Sequence, residues 1–266
     1  MNRARITITL KKELLKHVDG LIDGTKIKNR SHAIESLLSK NFAERKIKKA
    51  VILAGGKGAK FEGETKNVSR VLTPYKNKLF IEHIFDRLEK EGIEEVIVSA
   101  GSLGKEIKEK IGNGTKYGLA VSYLAKDAGT ASVLKYLASI IDETFLMING
   151  NVLADVDLNE MFNFHKKTGG VCTIGMISIK EPSAFGTIKL KGNQIIDFIE
   201  KPKAGKEESY LINAGIYIME PEICQITTAN CLSLEKDLFP SLAKKDNLFG
   251  YYLQGKWFHL DSLNKF

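Results

Sequence analysis

The regular alternation of strand-like and helix-like segments from residue 50 onward is the feature that most constrains how this chain folds. The run AVILA at 50–54 is apolar and β-branched, and it leads directly into the glycine-rich stretch GGKGAK at 55–60. Helices are predicted next at 79–91, 103–111, 131–141 and 157–167, and strands at 95–99, 120–124, 144–148, 171–179, 186–190 and 194–199. This order predicts an α/β fold with a doubly wound, Rossmann-like mixed sheet.

The first part of the chain has a different pattern, that of one strand followed by two helices. Residues 3–10 alternate polar and apolar side chains, which is typical of a strand with one buried face. Two segments with apolar residues at helical spacing follow, at 14–22 and 33–38. Such a unit cannot bury a core alone. We therefore predict a domain at 1–43 that forms a homodimer, a charged linker at 44–49 and a second domain at 50–266.

All of the excess positive charge lies in the first fifth of the chain. Residues 1–50 hold 13 lysines and arginines against 5 aspartates and glutamates, which accounts for the whole formal charge of +8. A basic module joined to a neutral one suggests that the module binds a polyanion. A solvated basic tail is the simpler alternative, and the strand–helix–helix pattern argues against it.

The layout of residues 3–42 resembles the ribbon-helix-helix repressor family, in which paired strands enter the major groove of DNA. Arginine can read guanine through two hydrogen bonds, and threonine can contact a thymine methyl group. The start of the second helix matches the element that holds a DNA phosphate. The resemblance implies contacts to double-stranded DNA by Arg5, Thr7, Thr9, Asn29, Arg30 and Ser31. A dimerisation ribbon without DNA binding is the alternative.

From residue 50 to 266 the ordered motifs resemble the sugar-1-phosphate nucleotidylyltransferases. The matching stretches are LAGGKG at 53–58, LFIEHIFDRL at 79–88, GNG at 112–114, YG at 117–118, GTA at 129–131, FG at 185–186, EKP at 200–202 and NAGIY at 213–217. The resemblance implies attack of a sugar-1-phosphate oxygen on the α-phosphorus of a nucleoside triphosphate. It also implies a Mg²⁺ ion held by two aspartates.

The same resemblance assigns residues to the two ligands. Nucleotide-binding positions are expected at Leu53, Ala54, Gly55, Gly56, Gly58, Gly129 and Thr130. Sugar-phosphate-binding positions are expected at Gly186, Glu200, Lys201 and Asn213. Lys60 and Arg70 stand at the positions of two basic, phosphate-binding residues of the family. The positive charge of the phosphate cradle is therefore kept, although both residue types differ from the family pattern.

The two metal positions do not keep their charge. Asn151 stands at the position of the first metal-binding aspartate and His259 at that of the second. Neither side chain offers the carboxylate oxygens that Mg²⁺ prefers. A shifted alignment that uses Asp155, Asp157 or Asp261 is the alternative. The loss of both carboxylates predicts little or no catalysis and no cofactor, with Mg²⁺ required only if the transferase is active.

The two resemblances together predict a DNA-binding regulator whose C-terminal domain binds a sugar phosphate or a nucleotide sugar. The alternative is an active sugar-1-phosphate nucleotidylyltransferase that its N-terminal domain dimerises or tethers to DNA, and a purely structural dimer is a third. The sequence has no apolar run of membrane-spanning length and no signal-peptide core, so we expect a cytoplasmic protein without a membrane partner. Cys172, Cys224 and Cys231 have no metal-like spacing and are expected to be free thiols.

Overall fold

The computed structural model describes residues 6–25, 27–42, 47–55, 69–124, 129–203, 205–206 and 208–261, with only the backbone described at 39–42. The chain divides into two compact units, a small unit at Met1–Arg45 and a large unit at Lys46–Phe266. Four residues of the predicted binding sites lie outside the described ranges, namely Arg5, Gly56, Gly58 and Lys60.

Two helices form the described part of the small unit, α1 (Lys12–Gly20) and α2 (Arg30–Phe42). A turn follows α1, in which the Asp23 carboxylate accepts backbone N–H groups of Thr25 at 2.8 Å and of Ile27 at 2.9 Å. The guanidinium of Arg30 then donates two hydrogen bonds to Asp19, at 2.6 and 2.8 Å. Both predicted helices of this unit are therefore present, and an exposed ion pair joins them.

The strand predicted at 3–10 is absent from the part of this segment that the structure describes. Residues 6–10 have no regular secondary structure, and Ile6 and Ile8 are 70% and 47% exposed. A strand needs a second strand to satisfy its backbone N–H and C=O groups, and the described part of one chain offers none to these residues. The predicted homodimer remains a prediction.

A nine-stranded mixed sheet forms the centre of the large unit. All strands of the unit are numbered in chain order, including those of two separate two-stranded sheets. The strands of the large sheet are β1 (Lys49–Leu53), β4 (Glu95–Ser99), β5 (Ala120–Leu124), β6 (Phe145–Asn149), β8 (Cys172–Ser178), β9 (Gly186–Lys191), β10 (Gln194–Glu200), β11 (Leu211–Met219) and β12 (Leu248–Tyr252). The spatial order is β5-β4-β1-β6-β11-β8-β12-β10-β9. The first four strands are parallel, and β11 runs antiparallel to β6.

Helices cover both faces of this sheet. They are α3 (Phe80–Lys90), α4 (Gly104–Ile111), α5 (Ser132–Leu137), α6 (Leu158–Thr168), α7 (Glu222–Ile226) and α8 (Phe239–Ala243). Because successive side chains of a strand point to opposite faces, Ala50 and Ile52 join one buried core and Val51 joins the other. The α/β fold with a mixed sheet is therefore observed. The helix predicted at 131–141 ends at Leu137, where the backbone N–H groups of Ile140 and Ile141 bond to a single carbonyl in a turn.

The smaller sheets are β2 (Pro74–Tyr75) with β3 (Lys78–Leu79), and β7 (Val152–Ala154) with β13 (Trp257–His259). The second of these pairs brings the end of the described chain to the end of β6. In its antiparallel register His259 lies opposite Val152. The backbone N–H of Leu260 also donates to the carbonyl of Asn151 at 2.8 Å. This pairing determines which residues near the C-terminal end of the described chain reach the site.

The three cysteines are free and buried, as expected. Burial raises the pKa of the Cys224 thiol to about 11. None of the helices in the described part of the chain has the length and apolar character needed to cross a bilayer.

Candidate active site

A cavity of about 460 Å³ lies at the carboxyl ends of β1, β4 and β6. Leu53, Ser99 and Asn149, the last residues of these strands, all line it. Parallel strands end at one edge of a sheet, so the segments that leave them can converge on a ligand. This is the place where an α/β sheet of this topology binds small molecules.

Five of the predicted nucleotide-binding positions meet at this cavity. They are Leu53, Ala54, Gly55, Gly129 and Thr130. Gly129 is needed there for space, because a Cβ atom on it would lie 2.1 Å from the carbonyl oxygen of Leu232. The glycine thus lets the segment before α5 approach the segment at 231–235 closely.

A second cavity of about 210 Å³ adjoins the first and shares six lining residues with it. The shared residues are Arg70, Asn149, Asn151, Glu200, Lys201 and Glu235. All four predicted sugar-phosphate-binding positions line this second cavity, namely Gly186, Glu200, Lys201 and Asn213. The structure therefore brings the two predicted ligand sites together across one shared boundary.

Glu200 and Lys201 lie at that boundary in an unusual local geometry. Lys201 has a φ angle of 48°, a left-handed conformation that is unfavourable for a lysine and is often found at functional sites. Gly186 leaves room for the neighbouring carboxylate, because a Cβ atom there would lie 2.9 Å from Glu200 Oε2. Burial raises the pKa of the Glu200 carboxyl, and the charge of Glu235 raises it further, against the opposing charge of Lys201.

A buried tyrosine holds two asparagines of the cavity wall. The hydroxyl of Tyr217 accepts hydrogen bonds from Asn213 Nδ2 at 3.0 Å and from Asn149 Nδ2 at 3.4 Å. The other end of the Asn213 amide accepts the backbone N–H of Gly215 at 2.9 Å. Asn213 is therefore fixed at both ends and presents one orientation to the cavity.

The two residues at the predicted metal positions are hydrogen-bonded to each other. Asn151 Nδ2 lies 3.0 Å from His259 Nε2, and because an amide nitrogen can only donate, Nε2 accepts. Burial lowers the pKa of His259 against the opposing charge of Asp261, and the charges of Arg70 and Lys201 lower it further. The ring is therefore neutral near pH 7, which is the form that this hydrogen bond requires.

Arg70 lines both cavities and forms an ion pair across their edge. Its Nη1 atom lies 2.9 Å from Asp261 Oδ2. Its Nε atom is buried and has no acceptor among the described residues. The guanidinium is thus held beside the cavity with part of its hydrogen-bonding capacity unused.

These side chains do not fit a Mg²⁺ ion at the position that the family resemblance implies. Asn151 and His259 are neutral and bond to each other, so neither offers a free anionic oxygen. The other candidate carboxylates also have partners: Asp155 pairs with Arg87, and Asp157 accepts the backbone N–H of Glu160 in the first turn of α6. Within the described ranges, no three His, Cys, Asp or Glu side chains are arranged to hold a metal ion.

Sequence reasoning missed two residues that line both cavities, Asn149 and Glu235. Glu235 Oε2 accepts hydrogen bonds from the hydroxyls of Thr130 at 2.9 Å and Ser233 at 2.8 Å. It lies on a single π-helical turn at Leu234–Leu238, which has no periodic signature in the sequence. Glu235 is recognised as a site residue only from its contact with Thr130, which lies 105 residues earlier in the chain.

The family model described as nucleotidyl transferase matches residues 49–261. The chain belongs to the nucleotidyl transferase family. The chain is 32% identical over 220 residues to the mannose-1-phosphate guanylyltransferase catalytic subunit beta of Xenopus tropicalis, and 29% identical over 218 residues to the mannose-1-phosphate guanyltransferase of Saccharomyces cerevisiae. Both alignments cover 79% of this chain but only 60% of each relative. The chain thus spans about three fifths of the length of these relatives.

Solved structures share the fold of this chain at lower identity. A UDP-glucose pyrophosphorylase in complex with UDP-glucose is similar with a TM-score of 0.66 at 22% identity, covering 82% of this chain and 95% of that one. HddC from Yersinia pseudotuberculosis gives a TM-score of 0.70 at 18% identity, covering 82% and 97%. These likenesses support the fold alone.

The prediction of a DNA-binding regulator with little or no catalysis is wrong, because the relatives of this chain are named as mannose-1-phosphate guanylyltransferases or guanyltransferases and neither name refers to DNA. The comparisons likewise give no support for a ribbon-helix-helix domain. In the small unit, Arg30 is already paired with Asp19, and Asn29 accepts the backbone N–H of His32. The remaining described residues of the predicted DNA contact, Thr7, Thr9 and Ser31, are exposed. A lopsided charge therefore does not by itself identify a partner.

Proposed function

We propose that this chain is a sugar-1-phosphate nucleotidylyltransferase, which converts a nucleoside triphosphate and a sugar-1-phosphate into a nucleotide sugar and pyrophosphate. The observation that carries the proposal is the pair of joined cavities, which share Arg70, Glu200 and Lys201 at their boundary. The names of the relatives support GTP and mannose-1-phosphate as the first substrates to test.

The reaction requires little of the protein beyond positioning the two reactants and stabilising the charge on their phosphates. The attacking sugar-phosphate oxygen is already anionic, so no side chain has to remove a proton from it. The residues must instead align this oxygen with the α-phosphorus and stabilise the charge on the phosphates. Arg70 and Lys201 line the boundary where the reacting phosphates meet, and Glu200 and Asn213 line the side where sugar hydroxyls need hydrogen-bond partners.

The direct test is product formation by the full chain. We expect pyrophosphate release and a nucleotide sugar, identified by mass spectrometry, from one pair among GTP, UTP, ATP and dTTP with mannose-1-phosphate and glucose-1-phosphate. A turnover of about 1 s⁻¹ or more would be within the ordinary range of enzymes. Absence of product from every pair, with and without Mg²⁺, would refute the proposal.

A matched pair of variants links the activity to this site. Glu200→Gln removes one half-buried carboxylate at the cavity boundary and is expected to lower kcat/KM by at least about tenfold, the effect of losing a hydrogen bond to a charged group. Glu208→Gln is the control, because Glu208 pairs with Lys189 on the surface. Equal activity of the two variants would show that the reaction does not depend on Glu200.

A further inference from the structure

We propose that this chain binds the phosphates of its ligand through Arg70 without the help of a divalent cation. The proposal rests on the proposed function, since it concerns the same site and the same phosphates. It goes beyond that function because a transferase with a metal-dependent site would bind its phosphates weakly once the metal is removed.

The first support is that the side chains at the implied metal positions already satisfy each other. Asn151 donates to His259 at 3.0 Å, and the imidazole packs against two aromatic rings. Its centroid lies 5.7 Å from that of Trp257, nearly parallel to it, and 5.3 Å from that of Phe185, edge-on. A cation would have to break this arrangement and would gain no charged ligand from either residue.

The second support is the placement of Arg70. A guanidinium offers five N–H donors in a plane and matches the oxygens of a phosphate group. Arg70 lines both cavities, and Asp261 binds its Nη1 atom at 2.9 Å. In this orientation Nε has no acceptor among the described residues. A phosphate group in the cavity would give the guanidinium a second anionic partner beside Asp261.

A comparison with Arg87 shows which feature of Arg70 matters for binding phosphate: the ion pair, the Nε atom without an acceptor, or the position at the cavities. Arg87 also pairs with an aspartate, Asp155, and its Nε atom also lacks an acceptor within the described part of the chain. It lines an apolar cleft beside α3, however, and neither of the two site cavities. An ion pair with an unsatisfied Nε is therefore not a phosphate site by itself, and the cavity position of Arg70 makes the difference.

The test uses inorganic pyrophosphate as the probe, because every reaction of this class releases it whatever the base and the sugar. We expect isothermal titration of the full chain to give dissociation constants in EDTA and in excess Mg²⁺ that agree within about threefold. Binding in Mg²⁺ that is lost in EDTA would overturn the inference and leave the proposed function standing. Absence of pyrophosphate binding in both buffers would overturn the inference, while the product assay decides the proposed function separately.

Two sets of variants assign the result to the residues named. Arg70→Ala is expected to weaken pyrophosphate binding in EDTA at least about tenfold, the effect of a charge-assisted contact, and Arg87→Ala to leave it unchanged. Asn151→Asp combined with His259→Asp places two carboxylates at the implied metal positions and should make binding at least about tenfold tighter in Mg²⁺ than in EDTA. Equal loss in Arg70→Ala and Arg87→Ala would refute the assignment to Arg70.

Discussion

Replacing Tyr217 by phenylalanine tests how the fold supports the site. Tyr217 lies in β11, fully buried, with its ring 5.2 Å from that of Phe239. Burial raises the pKa of its hydroxyl well above 10, so the group is neutral at physiological pH. Phenylalanine keeps the ring and its packing and removes only the oxygen that accepts from Asn213 and Asn149.

The expected cost follows from the two hydrogen bonds. The bond from Asn213 is 3.0 Å long, and its loss leaves a buried amide N–H without an acceptor, which costs about 1–3 kcal/mol. The bond from Asn149 is 3.4 Å long and contributes little. We expect the free energy of unfolding to fall by about 1–3 kcal/mol, and Tm by about 2–4 °C per kcal/mol for a unit of this size.

The effect of Tyr217→Phe on activity should be confined to the binding of the sugar-1-phosphate. Asn213 lines the second cavity only, so a loosened amide should raise KM for the sugar-1-phosphate and leave KM for the triphosphate unchanged. Tyr252→Phe is the control, because Tyr252 is 53% exposed. Denaturant unfolding and steady-state kinetics measure both effects. An unchanged stability, or equal increases in the two KM values, would refute the argument.

Three further predictions concern the rest of the chain. Thr173→Val removes the hydroxyl that lies 2.8 Å from buried His165 Nδ1 and should lower the free energy of unfolding by about 1–3 kcal/mol in urea titrations; an unchanged midpoint would contradict this. Burial lowers the pKa of His165 from 6.5 against the opposing charge of Glu220. As the pH falls, His165 is therefore protonated at a higher pH in the unfolded state than in the folded state. Stability at constant ionic strength should therefore fall as pH drops below about 6.5, and a rise would contradict the assignment. The full chain should be a dimer in light scattering and a monomer after Ile6→Glu with Ile8→Glu, because both apolar side chains are exposed in the described part of a single chain; a monomeric unmodified chain would refute this.

The order of strands and helices in the large unit could be predicted because it depends on local pattern. A strand such as Lys49–Leu53 is apolar at every position after Lys49 because both of its faces are covered by helices. The amphipathic helix at Phe80–Lys90 buries one stripe, which its residue spacing already indicates. The segment at 6–10 shows the limit of this reasoning, since an alternating pattern specifies a strand only where a partner strand exists.

The site was predictable only in part. The motif residues that line the cavities, such as Gly129, Glu200 and Asn213, stand in stretches that resemble a family, so their identity and order pointed to a ligand. Glu235 had no such signal, and Asp261 was expected only as an alternative metal-binding residue. Each reaches the site through a contact with a residue far away in sequence, Thr130 and Arg70, and such contacts depend on how the whole chain packs.

The sequence by itself determined the local elements, their order along the chain and hence the α/β class, because these follow from side-chain periodicity and backbone preference within short windows. It also determined that the residues at the two implied metal positions carry no carboxylate. Only the tertiary structure decided what those residues do instead. The antiparallel pairing of β7 with β13 places His259 beside Asn151, 108 residues earlier, where the two side chains satisfy each other. That outcome depends on strand pairing between distant segments, which no local pattern specifies.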